Sequence, residues 1–295
     1  MQTADLKNAV VTRLQGGLGN LLFQYMAGQS LADHLNVPHH CVAGEGIGHG
    51  SALELVGIEP SYVSVPAFMI KRAGKKRDRS LTDFLRTGLG RWPLMPVREP
   101  QFHYWPGFFD LKSGCLLSGY WQSPKYFSEL KTPPASIMAM NAVLNRIEPS
   151  VVSGIREGTT VCIHIRRGDY LKEPSALEVH GLIEPDYYER GHRMMEELHA
   201  PDRYLVFSDS PDLAREALGH LPKVVFMEPR PQEQDLALMS LCHHHIIANS
   251  SFSWWGAWLG RREGQTVIAP RYWFSPQTLR KKYVLDLIPD DWVLL

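Results

Sequence analysis

The sequence has no excess of charge of either sign: 31 lysines and arginines stand against 31 aspartates and glutamates, with a pI near 7.2. A protein that coats nucleic acid by bulk electrostatics needs a basic excess, so no nucleic-acid partner is expected. Cysteine is scarce. Cys41, Cys115, Cys162 and Cys242 show no CxxC spacing, which leaves neither a disulfide framework nor a zinc knuckle. Their mostly apolar flanks read as buried thiols in a reducing compartment. No charge-free run of about 18 apolar residues exists, so no membrane span is expected. Met1–Asn8 is polar and lacks a signal-peptide pattern. The expectation is a cytoplasmic globule, with room for peripheral contact at the inner face of a membrane. Two nucleotide signatures are also missing. There is no GxxxxGK[ST], hence no P-loop. A G-x-G-x-x-G is incomplete, with Gly17 and Gly19 present but Leu22 at the third glycine, which disfavours a nicotinamide or flavin cofactor.

What is present is a chain of 295 residues, 44% hydrophobic, enough for a real core and long enough for two domains. Residues 9–14 read as a buried strand that runs through a glycine turn into a helix with apolar positions from Leu22 to Leu35. From about Gly44 to Pro106 the pattern is weak. Residues 118–125 (SGYWQSPK) close a further strand with an aromatic turn, and Glu148-Pro149-Ser150 reads as a domain boundary. In the second half, strands at 160–166, 204–208, 224–227 and 244–248 alternate with helices at 185–199, 211–218, 232–242 and from 254. That alternation predicts an α/β fold with doubly wound parallel sheets. The two halves, 1–150 and 151–295, read as two Rossmann-like units.

His164-Ile165-Arg166-Arg167-Gly168-Asp169-Tyr170 ends one strand. Side chains alternate along a strand, so His164 and Arg166 share a face. Ligands of open α/β sheets bind beyond the carboxyl ends of the strands, where Arg166 and Arg167 lie. Two adjacent guanidiniums need an anion or carboxylates; a phosphate suits their planar forks, and a salt-bridge cluster closed by Asp169 is the alternative. Asn249-Ser250-Ser251 opens a helix after another strand, either as an ordinary N-cap or as an anion site of N–H and hydroxyl groups. Gly17, Gly19 and Asn20 form either a tight turn or a close backbone approach with an amide aimed at a ligand. Ser208 and Asp209, in Phe207-Ser208-Asp209-Ser210, put a carboxylate at a strand end or cap the next helix. Asp235 reads as a surface aspartate or as an acceptor for purine N–H groups. His243-His244-His245 is a poor metal site, because consecutive residues entering a strand face alternate sides. The Lys71–Arg79 run is a solvated face or an attraction to anionic lipid.

Taken together, the chain resembles the bacterial α-1,2-fucosyltransferases of glycosyltransferase family 11, and more distantly the α-1,6- and protein O-fucosyltransferases. The resemblance rests on GGLGNLLFQYMAG at 16–28, HIRRGDY at 164–170, FSDS at 207–210, DLALMSLCHHHIIANSSFSWWGAWL at 235–259 and IPDDW at 288–292. Leu21, Met26, Ser210 and His245 depart from the family pattern. The resemblance implies a GT-B architecture, two Rossmann-like domains facing a central cleft, with residues 1–150 holding the acceptor and 151–295 holding GDP-β-L-fucose. It implies that Arg166 binds the β-phosphate with support from Arg167 and His164. Ser208, Asp209 and Asn249 would lie at the donor site. Ser250 and Ser251 would contact the diphosphate, Asp235 would read the guanine edge, and Gly17, Gly19 and Asn20 would line the cleft.

The implied reaction is inverting transfer of fucose to the 2-hydroxyl of a galactose-terminated glycan. Guanidinium takes the part of a metal, so neither metal nor cofactor is expected. Asp169, Glu173, Glu178 and His180 follow the arginines; Glu173 is the preferred general base, and Asp169 the residue that orients the arginines. Tyr104, Trp105, Tyr120 and Trp121 either stack on sugar rings or pack internally. The rival readings are a GT-B enzyme for another nucleotide sugar and a non-catalytic sugar- or nucleotide-binding protein.

Overall fold

A computed structural model of the chain describes residues 5–44, 52–74, 94–166, 174–279, 284 and 286–295. The polypeptide forms two compact units, residues 1–54 with 58–137, and residues 55–57 with 138–295. The boundary falls before the expected Glu148-Pro149-Ser150. Val143, Leu144 and Ile147 are buried against Cys162, Leu205 and Phe207, so this segment is part of the second core.

In the first unit, β1 (Val10–Leu14) leads through the glycine turn into α1 (Leu18–Leu35) and β2 (His39–Ala43). After a short helix, α2 (Ala67–Gly74) precedes β3 (Met95–Arg98) and β4 (Cys115–Ser118). All pairings are parallel, in the order β2-β1-β4-β3. β2 lies on one side of β1 and the later strands on the other, so the direction in which strands are added reverses between β1 and β4. One face of the sheet buries Val11, Val42 and Leu116 with Met69 of α2. On the other, α1 lies so close that a Cβ at Gly28 would overlap Thr12 and His39. Gly16 adopts φ +87°, a conformation a side chain strains against, which fixes glycine at the turn. Gln24, fully buried, locks that turn. Its Oε1 accepts from Gln15 N at 2.7 Å and its Nε2 donates to Gln15 O at 2.9 Å.

After a short helix at Met140–Leu144, the second unit runs α3 (Pro149–Arg156), β5 (Thr160–Ile165), α4 (Pro174–His180), α5 (Pro185–His199), β6 (Arg203–Ser208), α6 (Pro211–Leu218), β7 (Val224–Phe226), α7 (Gln232–Leu241), β8 (His244–Ile246), α8 (Ser251–Leu259), β9 (Val267–Ala269) and β10 (Val293–Leu294). Its six parallel strands run β10-β9-β8-β5-β6-β7. Relabelled from β5 as the first, this is the 3-2-1-4-5-6 order of a dinucleotide-type sheet, with its topological switch point between β5 and β8. Every residue of β5 is buried, as a central parallel strand covered on both faces requires. The expected α/β class with two doubly wound parallel sheets is what the chain adopts. The weakly patterned 44–106 region supplies α2 and β3, and the late strands β9 and β10 have too few residues for a periodicity to register.

Two tyrosines close the carboxyl edge of the second sheet. Tyr187 of α5 donates its hydroxyl to Ile247 O and Ile268 O, at 2.8 and 3.0 Å, and Tyr188 donates to His164 O at 3.2 Å. Both rings are buried, so these bonds satisfy hydroxyls that would otherwise be costly. The histidine run turns three ways. His243 Nδ1 accepts from Thr160 N, His244 Nδ1 accepts from Thr266 N, and His245 Nε2 donates to Met239 O. No helix among the described residues is long and apolar enough to cross a membrane.

Candidate functional site

Arg166 is the first residue after β5 and Ser250 the last before α8, so they lie on either side of the switch point between β5 and β8. Arg166 Nη1 donates to Ser250 Oγ at 3.2 Å. The same oxygen accepts from Phe252 N at 3.3 Å, which makes Ser250 the N-cap of α8. The N-cap reading of this serine holds, and the same hydroxyl also orients a guanidinium. A nine-residue helix begins here, and its N-terminus carries partial positive charge that adds to that of Arg166. The arrangement suits the oxygens of a phosphate group.

His164 lies one turn of the pleat back on the same face. It is buried, and its Nδ1 has no hydrogen-bond partner. Burial first, and then the neighbouring Arg166, lower its pKa to about 4 against the opposing charge of Asp209. His164 is therefore a neutral imidazole at ordinary pH. Asp209 thus approaches the site, just past the end of β6. Ser208, in register with Ile165, turns its hydroxyl to its own loop and accepts from Ser210 N at 3.0 Å. The cap of α6 is Ser210 rather than Asp209, and it makes no side-chain cap bond.

Asp235 sits in the first turn of α7. Its Oδ1 is buried and has no hydrogen-bond partner, and burial raises its pKa to about 7 against the lowering effect of Arg230. A surface aspartate would show neither feature. Its charge also raises the pKa of Cys162 below it in β5. Asn249 differs from the expected ligand contact in part. Its Nδ2 is committed to His180 O at 3.0 Å and Trp273 O at 3.3 Å, so it ties the end of α4 to the segment after β9. Only its Oδ1, buried and unpartnered, is left to meet a ligand. Ser251 is the first residue of α8.

Arg167, Asp169 and Glu173 lie outside the described residues, as does the Lys75–Arg79 part of the basic run. Of the other base candidates, Glu178 is exposed and His180 packs its ring 5.3 Å from Phe274. No group of three or more His, Cys, Asp or Glu among the described residues could hold a metal ion.

Gly17, Gly19 and Asn20 belong to the first unit. Gly17 is the backbone N-cap of α1, and Asn20 Oδ1 accepts from Gln122 Nε2 at 2.7 Å. This bond crosses the switch point between β1 and β4. The turn after β4 is held from the other side by Glu99, whose carboxylate accepts from Tyr120 N and Trp121 N at 2.8 and 3.0 Å. Sequence reasoning missed Gln24, Gln122 and Glu99, because a polar residue that binds backbone carries no periodic signal. Glu99 had one faint cue, an acid close to the end of a strand in a proline-rich stretch. Trp121 does not stack on a ligand: it is fully buried against Phe108 and Tyr126. Tyr104, Trp105 and Tyr120 are half-buried.

The model of Glycosyl transferase family 11 matches residues 99–293. An alpha-1,2-colitosyltransferase of Escherichia coli is 32% identical over 297 residues, covering 96% of this chain and 98% of that protein. The O-antigen biosynthesis glycosyltransferase WbnK of Escherichia coli is 38% identical over 139 residues, 46% of this chain and 44% of WbnK. Galactoside alpha-(1,2)-fucosyltransferase 1 of Homo sapiens is 27% identical over 186 residues, which cover 58% of this chain and half, 50%, of the human protein.

Proposed function

The chain belongs to glycosyltransferase family 11, and from that premise we propose that it moves L-fucose from GDP-β-L-fucose to the 2-hydroxyl of a galactoside, with inversion and without a metal. The observation that carries this reading is the Arg166–Ser250 hydrogen bond across the switch point. It joins two segments 84 residues apart and focuses positive charge on one spot.

As the bond between C1 and the leaving oxygen breaks, negative charge builds on the diphosphate. Arg166 and the N–H groups that open α8 are fixed before the reaction begins, so they stabilise that charge without reorganising. Asp235 is assigned the guanine, whose N1–H and amino group need an acceptor. The carboxylate must be ionised to accept them, and the nucleotide's donors would favour that form in a group that burial holds near neutral. His164, neutral beside Arg166, supports the nucleotide by hydrogen bonding rather than charge. The general base is assigned to Glu173, with Asp169 orienting Arg166 and Arg167.

A second donor is favoured by one observation: the relative aligned over nearly the whole chain is a colitosyltransferase. Colitose is fucose without its 3-hydroxyl, so the two donors differ by one oxygen. A site with a polar group committed to that hydroxyl discriminates strongly against its loss, by about 10⁴–10⁵, whereas an apolar pocket discriminates only about 10²-fold. Initial rates with GDP-fucose and GDP-colitose, using lactose and N-acetyllactosamine as acceptors and linkage analysis of the product, test the reading. A 2-linked fucoside formed faster from GDP-fucose supports it. Faster transfer from GDP-colitose moves the assignment to that donor, and binding of GDP with no turnover on any acceptor refutes transfer.

A further inference from the structure

We propose that the first unit carries an oxyanion site of its own, formed by Arg13 and Arg98 on either side of Ser118, that takes a phosphate or carboxylate group of the acceptor. The existence of the site is independent of the transferase reading; its assignment to the acceptor rests on that reading.

Three strand ends make the site. Arg13 is in register with Val42, and Val11 with Leu116, which places Arg13 on the face that buries Val11, Val42 and Leu116. Continuing the β1–β4 register sets Ser118 beside Arg13, and Ser118 is in turn in register with Arg98 of β3. Side chains of registered partners in a parallel sheet point to the same side, so arginine, serine and arginine form a row across three adjacent strands. The strand spacing puts the two arginine Cα atoms about 10 Å apart, within the combined reach of two long side chains, and closing on one oxyanion requires Arg13, whose Nε lies beside Gly44 at the end of β2, to turn towards Ser118. The row stands at the carboxyl edge of the sheet, at its switch point between β1 and β4, where ligands of open α/β sheets bind.

The electrostatics call for an anion. Arginine stays charged at any working pH. Arg13 is half-buried, its Nε is shut off from solvent without an acceptor, and among the described residues neither Arg13 nor Arg98 makes a hydrogen bond or ion pair. Structural arginines in such positions find a carboxylate. The neighbouring Glu99 accepts instead from Tyr120 N and Trp121 N. Ser118 is 5% exposed, and its hydroxyl is likewise without a protein partner among the described residues. A planar guanidinium fork with a hydroxyl beside it matches phosphate or carboxylate oxygens.

Calorimetric titration of inorganic pyrophosphate into protein saturated with GDP tests the site. One equivalent is expected to bind to the unaltered chain, at least tenfold more weakly to Arg13→Gln and at least threefold more weakly to Arg98→Gln. Arg13→Lys should retain more affinity than Arg13→Gln. Arg98 is exposed, so its variant carries the test if Arg13→Gln fails to fold. No binding beyond the GDP site, or equal affinity in every folded variant, overturns the proposal. The two acceptor chemistries are separated by comparing N-acetyllactosamine, its reducing-end diphosphate and a disaccharide carrying a uronic acid. Arg13→Gln should raise the KM of at least one anionic acceptor about tenfold relative to the neutral one. An unchanged ratio for both overturns the acceptor assignment. Failure of the donor reading shows separately, as unaltered GDP binding in Arg166→Ala.

Discussion

Replacing Arg166 by alanine separates the proposed catalytic role of this residue from any part in holding the fold. In the folded chain its described hydrogen bond runs from Nη1 to Ser250 Oγ, at 3.2 Å. A hydrogen bond from a charged donor contributes about 1.5–3 kcal/mol, and partial exposure of the guanidinium brings the expected loss to about 1 kcal/mol. Ser250 Oγ is not orphaned by the change, because it still accepts from Phe252 N. A loss of about 1 kcal/mol lowers the melting temperature of a chain this size by about 2–4 °C. The kinetic effect is of another order. Removing a preorganised donor from developing charge costs about 10²–10³ in kcat, roughly 3–4 kcal/mol. Ser250→Ala reverses the balance: it removes an N-cap for about 1 kcal/mol of stability, and it leaves the arginine present but less well oriented, for about a tenfold loss in rate. The double variant should be little slower than Arg166→Ala alone where the main part of the Ser250 hydroxyl is to orient the arginine. Single-turnover rates with labelled GDP-fucose, alongside thermal melts, check all three. A folded Arg166→Ala protein within threefold of the parent's kcat would refute the reasoning.

Asp235 has a folded pKa raised to about 7, so in the free protein its contribution to stability falls as pH rises from about 4 to 7. Asp235→Asn should therefore raise the melting temperature at pH 8 while weakening GDP binding at least tenfold; a parallel loss of both contradicts the assignment. Several histidines behave oppositely. Burial lowers His39 and His245 to about 3 and His244 to about 4, so their stabilising effect is complete above about pH 6.5 and is lost as pH falls through that window towards 4. Melting temperature should drop steeply there, and His244→Phe, which keeps a ring stacked on His199, should flatten the slope. Gln24→Leu leaves Gln15 N and O without their partners and should cost about 2–4 kcal/mol by urea denaturation. A cost below about 0.5 kcal/mol would mean that the glycine turn holds its shape unaided.

Much of this was legible in the residues themselves. The run TVCIHI announces a central parallel strand, and Arg166 and Ser250 fall just past strand ends that periodicity locates within a residue or two. Their meeting was implied only by the family resemblance, because strand order rather than sequence spacing places β5 beside β8. β9 and β10, of three and two residues, are too short for an alternation to register, and their pairing depends on the sheet already being built. Asp235 illustrates a different blindness. Nothing in QEQDLALMSL says that one acid of the first turn, Asp235, carries a buried carboxylate oxygen without a partner. Trp121 was ambiguous for the same reason, since an aromatic that binds a sugar and one that fills a core look alike in sequence.

A crystal structure with bound GDP is the most direct test of the central claim. The account predicts the diphosphate within hydrogen-bonding distance of Arg166 and of the Ser250–Ser251 start of α8, with the guanine against Asp235. A nucleotide bound away from the β5–β8 switch point, or an Arg166 side chain sealed in a carboxylate pair while GDP is present, would contradict it.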